Sequence, residues 1–283
     1  MRKVVIFSSL IAIMIIGMFF YGENDFKAKD TSPILDESGS SSYERRDATN
    51  VETAVSEAIK EHGKTYGKGE YITEGHIILE TEQQGNKVKA YTIASIGVFE
   101  FQDGIFTIVS GSGAIPTVMT FSIDEHGQYK LVAYEEPLDG EAYVKSIKKM
   151  FPKTYHSKVL YADKYYDELA KQQERQAQEY LKKIGRHAKV SISYVEKQPL
   201  NISVQAMNHF LRMLSSDPFL NECPDWLGTR EVIEQGIRYV YETSQSKTND
   251  GGDVVTLRKM KEDGAVIDMR QYVIEENKLK RIK

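Results

Sequence analysis

The longest uninterrupted run of apolar positions lies at the beginning of the chain. Residues 4–22 carry no charged side chain and directly follow Arg2 and Lys3. At 1.5 Å of rise per residue, a helical run of this length crosses the hydrocarbon core of a bilayer. Basic residues before the run favour a cytoplasmic N-terminus. The pattern therefore predicts a transmembrane anchor over 1–22, a contact with the lipid bilayer through 4–22, and an extracytoplasmic location for 23–283.

A cleaved signal peptide is the alternative for this first segment. Such a peptide has a shorter apolar core and small residues at its cleavage site. Here the run ends in Phe19, Phe20 and Tyr21, which suit the aromatic belt at a membrane interface. The pattern favours an anchor that is not cleaved.

Polar residues then give way to the first helical pattern. Residues 23–50 are rich in Ser, Asp and Glu without sustained periodicity, which predicts a flexible tether. Apolar residues at helical spacing predict a helix over 51–62. The members of its apolar stripe are Val51, Ala54, Val55, Ala58 and Ile59.

Alternating segments separated by turn residues follow this helix. Predicted strands cover 71–81, 87–101, 105–110, 117–123 and 128–135, with turn residues such as Asp103 and Gly104 between them. One helix followed by about five antiparallel strands is typical of an α+β roll, in which a curved sheet wraps a helix. We therefore predict such a roll over 51–160.

The remaining residues predict a connecting helix and a second lobe. Residues 163–184 have a thin apolar stripe, which is typical of a solvated connector, here assigned to 161–185. A further lobe is predicted over 186–283, with helices at 203–214 and 230–237 and several strands, one of them at 189–195. The expected fold class is thus α+β: a transmembrane helix, then a roll and a second small α+β lobe.

Composition narrows the range of functions. The chain has 283 residues, 41% of them apolar, and a net charge of −4, so a broad nucleic-acid-binding surface is not expected. A single cysteine, Cys223, excludes an intramolecular disulfide and a zinc site built from several cysteines. The sequence contains no H-E-x-x-H motif. It predicts neither a cofactor nor a metal site.

Acid/base candidates lie on the first predicted strand. Glu74, His76 and Glu80 are an even number of residues apart, so a regular strand places them on one face. Ser112 paired with a histidine is a second candidate, although its neighbours do not form a nucleophile elbow. The pattern favours an exposed polar face of the sheet, with catalysis as the alternative.

A concave sheet surface with an acidic rim is the predicted ligand-binding site. Aromatic side chains would line it, and rim carboxylates would steer the ligand. The candidate residues are Tyr71, His76, Tyr91, Phe99, Phe101, Tyr134, Glu135 and Glu136.

Several stretches resemble one family. The segments GEYITEGHIIL (69–79), EEPLDGEAYVKSIKKMFP (135–152) and DWLGTR (225–230), with the strand at 91–101, are similar to the extracytoplasmic C-terminal region of BlaR-type membrane metallopeptidases of Gram-positive bacteria. The resemblance covers roughly residues 50–283 and implies the outer module without the peptidase part. Penicillin-binding sensors of that family carry a Ser-x-x-Lys motif. Ser146 and Lys149 have this spacing, but the partner motifs Ser-Asp-Asn and Lys-Thr-Gly are missing.

Two functions follow as hypotheses. The first is a single-pass, membrane-anchored extracytoplasmic module that binds an envelope ligand or protein partner, or acts as a sensor, without catalysis and without binding nucleic acid. The alternative is a cell-envelope hydrolase whose site is assembled only in the fold. A closed pocket with coupled acid/base groups would favour the second.

Overall fold

Six helices and one eleven-stranded sheet make up the part of the chain that the structure, a computed structural model, describes: the backbone of residues 41–283 and the side chains of 51–283. The sheet is almost entirely antiparallel, and the predicted α+β class is confirmed. The predicted anchor (1–22) and residues 23–40 of the predicted tether lie outside the described residues. Within 41–283, none of the helices combines the length and apolarity that crossing a bilayer requires.

The helices and strands alternate in blocks along the chain. The helices are α1 (Ser41–Gly63), α2 (Tyr143–Met150), α3 (His156–Leu160), α4 (Tyr166–Lys183), α5 (Val204–Leu214) and α6 (Pro218–Glu222). The strands are β1 (Tyr71–Gln84), β2 (Lys87–Gln102), β3 (Ile105–Gly111), β4 (Ile115–Ile123), β5 (Tyr129–Glu135), β6 (Val190–Ser191), β7 (Gly228–Glu234), β8 (Ile237–Lys247), β9 (Asp253–Lys261), β10 (Val266–Glu275) and β11 (Lys278–Arg281).

The first helix is longer than its apolar stripe. The stripe over 51–62 is helical as predicted, but α1 begins at Ser41, inside the range predicted as a tether. Nucleation is the costly step of helix formation, and each further residue adds one hydrogen bond. A helix held by the packing of Val55 and Ile59, both fully buried, can therefore extend into polar sequence.

Strand β2 is the centre of the N-terminal part of the sheet. It pairs with β1 along one edge and with β4 and then β3 along the other. Helix α1 covers one face, where Ile59 belongs to the same apolar cluster as Ala90 and Ala94. Helices α2 to α4 contribute Ile147 and Leu169 to a cluster with Ile93. Every residue of β2 from 90 to 102 is buried, as expected for a strand with both faces covered.

The C-terminal strands β7 to β11 form a continuous antiparallel ladder. Helices α5 and α6 cover one face of it with Phe210 and Leu220, which pack against Tyr241 and Leu257. The ladder joins the N-terminal strands where β7 pairs with the end of β2. Residues 41–283 form one compact unit.

Two elements predicted for the C-terminal region differ from the observed structure. The predicted helix over 230–237 is wrong: strand β7 occupies most of that range and turns at Gln235 and Gly236, both with positive φ, into β8. The segment contains Val232 and Ile233, whose branched side chains favour a pleated sheet once a partner strand is available. The predicted strand over 189–195 is reduced to β6, which pairs in parallel with β3.

Helix α4 connects the two parts of the chain and also covers the edge of strand β1. Gln176 forms hydrogen bonds to the backbone N–H and C=O of Glu74, and Gln172 forms the same pair of bonds to His76. The side-chain amides thus replace a neighbouring strand along the free edge of β1, which would otherwise expose unpaired backbone groups. The apolar stripe of α4 is interrupted in its middle because these positions bind the sheet edge.

Gly75 permits the close approach of α4 to β1. A Cβ atom at this position would lie 2.4 Å from the carbonyl oxygen of Leu169. We expect Gly75→Ala to lower the free energy of unfolding by about 1–3 kcal/mol, because the helix must move away from the strand. Urea unfolding of the full chain measures this, with Gly113→Ala, which meets no atom within 4 Å, as the control. Equal midpoints for the two variants would contradict the expectation.

Candidate functional site

His76 lies between two carboxylates from different elements. Its Nδ1 atom is 2.7 Å from Glu74 on the same strand, and its Nε2 atom is 2.6 Å from Glu52 on α1. The second oxygen of Glu74 accepts hydrogen bonds from Ser56 on α1 and from Gln176 on α4. We call these five residues the His76 cluster; it connects α1, β1 and α4.

Glu74 and His76, at the centre of the His76 cluster, are buried. Only 3% of the Glu74 side chain and 12% of the His76 side chain are exposed. Burial alone would raise the pKa of Glu74, but hydrogen bonds and the charge of His76, with Ser56 and Gln176, lower it below its ordinary value. Burial opposes the imidazolium of His76, yet Glu74 and Glu52 raise its pKa. Both shifts favour the ion pair, an imidazolium between carboxylates, over the neutral form of the pair.

The hydrogen bonds of this cluster hold α1, β1 and α4 together. A general base needs an unprotonated atom within reach of a substrate. Both nitrogens of His76 and both oxygens of Glu74 are instead bonded within the chain. The geometry favours a structural role over acid/base catalysis.

Glu80 does not share the face of Glu74 and His76. A β-bulge between Ile78 and Glu80 shifts the alternation of the strand by one residue. Glu80 lies beside Tyr155 and Tyr91 on the side of α2 and α3. The prediction of one shared face is wrong for this residue, because a bulge is not encoded in the spacing.

The predicted aromatic surface is divided among several places. Phe99 and Phe101 are fully buried beside Phe106 in the core, so they differ from the expectation of surface contacts. Tyr91 is buried on the side of α2, and its hydroxyl donates a hydrogen bond to Glu82. Burial and this carboxylate raise the pKa of Tyr91 to about 12. Both faces of β2 are covered, so its aromatic side chains pack in the core and do not line a binding surface.

Two other predicted residues do come together. The ring of Tyr134 stacks on His62 with centroids 4.1 Å apart, and His62 Nε2 lies 3.6 Å from Glu136. Burial raises the pKa of Glu136, and His62 opposes this effect. The neighbouring Glu135 is exposed. Tyr71 lies apart from this group, stacked on Tyr180 with centroids 4.2 Å apart.

The two candidate serine nucleophiles bond to the backbone. Ser112 Oγ accepts a hydrogen bond from the N–H of Ile96 and donates to the carbonyl of Gly113. Ser146 Oγ donates to the carbonyl of Tyr143 and accepts from the N–H of Leu138. Both hydroxyls thus stabilise local backbone geometry.

A cleft that sequence reasoning missed lies where the two ladders meet; we call it the junction cleft. It has a volume of about 400 Å³. It is lined by residues of the end of β2, of β7 and of the segment after α6, among others. The lining residues used below are Lys68, Glu100, Lys197, Cys223, Asp225, Trp226 and Arg230.

Two residues that line the junction cleft carry a buried hydrogen-bond donor without a partner. Arg230 bonds through its two Nη atoms to Glu100, at 3.0 Å, and to Glu222, at 3.3 Å. Among residues 51–283, neither its buried Nε–H nor the indole N–H of Trp226 has a hydrogen-bond partner. Trp226 is only 7% exposed, and Lys197 Nζ lies 3.8 Å from the centroid of its ring. Buried donors are normally paired, so these two are exceptional.

Nucleophilic chemistry has little support in the junction cleft. Burial raises the pKa of the Cys223 thiol to about 12, so this side chain is a neutral thiol at neutral pH. Within residues 51–283, no cluster of three or more His, Cys, Asp and Glu side chains is arranged to hold a metal ion.

Two sequence signals could have indicated the junction cleft. Glu100 and Gln102 are polar residues at the end of an otherwise apolar buried strand, and buried charges need partners. Trp226 is the single tryptophan of the chain, in the 225–230 segment. Comparison of the chain with protein-family models, curated proteins and solved structures finds no match.

Proposed function

We propose that the chain is a membrane-anchored extracytoplasmic module that binds a ligand or partner at the junction cleft and catalyses no reaction. In this proposal residues 1–22 are the anchor, and the folded part comprises an α+β roll followed by a second α+β lobe. The apolar run behind Arg2 and Lys3 supports the location. The resemblance to the outer region of BlaR-type proteins supports a sensor-like role.

The observation that carries the binding function is the pair of buried donors in the junction cleft. Residues 51–283 offer no acceptor to the indole N–H of Trp226 or the Nε–H of Arg230, and a buried donor without an acceptor costs free energy. A ligand with acceptor oxygens would complete them. Of the acid/base candidates of the alternative, a hydrolase, Glu74 and His76 are instead engaged in the His76 cluster.

Binding without turnover gives a direct prediction. We expect the full chain in detergent micelles, mixed with low-molecular-mass envelope extract, to retain a compound reversibly. Native mass spectrometry should show the adduct, and denaturation should release the compound with its mass unchanged. Arg230→Ala should reduce the retained amount about tenfold or more, since bonds to a buried charged donor are lost.

The controls separate binding from catalysis. Arg258→Ala removes an arginine that pairs with Glu242 outside the cleft and is 37% exposed, so it should retain the compound like the unchanged chain. A covalent adduct or a product of altered mass would support the hydrolase instead. Retention by neither the unchanged chain nor the control would contradict binding at this site.

A further inference from the structure

We infer that the junction cleft recognises a carboxylate group, with the indole N–H of Trp226 and the Nε–H of Arg230 donating to its oxygens. This inference rests on the proposed function, which requires only that some ligand occupies the cleft.

The two unpartnered donors favour a ligand group that only accepts hydrogen bonds. Trp226 Nε1 and Arg230 Nε are both N–H donors that cannot accept a hydrogen bond. Both atoms are buried and have no partner among residues 51–283, so a ligand reaches them when the side chains that cover them move aside. Carboxylate oxygens accept hydrogen bonds only, and one carboxylate offers two of them. A group that only accepts hydrogen bonds, such as an ionised carboxyl group, therefore suits both donors.

The charges around the cleft argue against a dianion. Lys68, Lys197 and Arg230 line it together with Glu100 and Asp225. Arg230 is paired with Glu100 and also with Glu222, so the basic and acidic side chains around the cleft balance. A carboxylate adds one negative charge to this balance and a dianionic phosphate adds two, so the carboxylate is the less costly anion beside Glu100 and Glu222.

Trp226 also supplies the measurement. It is the only tryptophan in the chain, so its fluorescence reports on the junction cleft alone. Full chain in detergent micelles is titrated with N-acetyl-glycyl-glycine, with the amide of the same peptide, with acetate and with inorganic phosphate. We expect a saturable change of emission with the free peptide acid and at least tenfold weaker binding of the amide, since the charged acceptor is lost.

The acetate arm distinguishes the source of the carboxylate. Acetate binding as tightly as the peptide acid assigns the site to small free acids, whereas much weaker binding assigns it to chain ends. Both outcomes support carboxylate recognition.

Variants assign the effect to the two donors. Arg230→Lys keeps the charge but lacks the Nε–H fork, and we expect it to weaken binding of the peptide acid about tenfold. Trp226→Phe keeps an aromatic ring without the N–H and is followed by calorimetry. Arg258→Lys, outside the cleft, should bind as the unchanged chain does. Urea midpoints of the variants show whether a loss of binding comes from unfolding.

Other results would overturn the inference. Equal binding of acid and amide, tighter binding of phosphate, or no response to any carboxylate would each exclude carboxylate recognition. A response to amide or phosphate alone would leave the proposed binding function in place. Failure of the proposed function itself is recognised separately, by the absence of a retained compound from envelope extract.

Discussion

Replacement of Arg238 by alanine is expected to lower the free energy of unfolding by about 3–5 kcal/mol. The guanidinium of Arg238 bonds to both oxygens of Glu70 and also to Glu231. Only 3% of the Glu70 side chain and 11% of the Glu231 side chain are exposed. Removal of the arginine would leave the buried carboxylate of Glu70 without its counter-ion, which costs more than the pair itself contributes. Glu231 would keep its pair with Arg186.

Arg238 connects the C-terminal ladder to the N-terminal strands, so its removal weakens the contact between these two parts of the sheet. Glu70 precedes β1, whereas Glu231 and Arg238 lie on β7 and β8. The guanidinium also lies 5.0 Å from the ring centroid of Phe101, on β2. We therefore expect the C-terminal ladder to lose protection from hydrogen exchange before the N-terminal one does in Arg238→Ala.

Urea unfolding of the full chain tests the magnitude. Arg258→Ala is the matched control, because Arg258 pairs with Glu242 on the same ladder but is 37% exposed. An exposed pair contributes at most about 1 kcal/mol. Equal destabilisation by the two variants would show that burial does not strengthen the role of Arg238.

The spacing of apolar residues predicted those helices and strands whose buried faces consist of their own residues. The helix over 51–62 and the strands β1 to β5 follow from apolar spacing and glycine turns, since their own residues form the buried faces. Strand β7 was missed because its pairing with β2 and β8 overrides a weak helical signal. The glutamines of α4 carried no visible signal, since amides that bind a distant strand edge look like solvated residues.

The candidate site was less accessible to sequence reasoning. His76 and Glu74 were correctly placed on one face of β1, but Glu52 and Gln176, which complete the cluster, come from two other elements. The junction cleft brings together residues as far apart as Glu100 and Arg230. Spacing along the chain cannot predict such contacts; only the packing of the two ladders produces them.

Glu74→Gln is expected to destabilise the chain by about 3 kcal/mol near pH 6, since it removes one partner of a buried ion pair. The imidazolium of His76 would keep only Glu52, whose side chain is 58% exposed. Urea unfolding of the full chain provides the measurement. Glu57→Gln, at an exposed position of α1, is the control and should change stability by no more than about 0.5 kcal/mol.

The pH dependence of this destabilisation follows from the two pKa shifts. The pKa of Glu74 is lowered in the folded chain, so its contribution is complete above the ordinary value of 4.5 and is lost as pH falls through the lowered value. The pKa of His76 is raised, so its contribution is complete below the ordinary value of 6.5 and is lost as pH rises through the raised value. The difference between the unchanged chain and Glu74→Gln should therefore be largest between about pH 4.5 and 6.5 and shrink on both sides. A difference that stays constant from pH 4 to 9 would show that the His76 cluster is held together by neutral hydrogen bonds instead of charge.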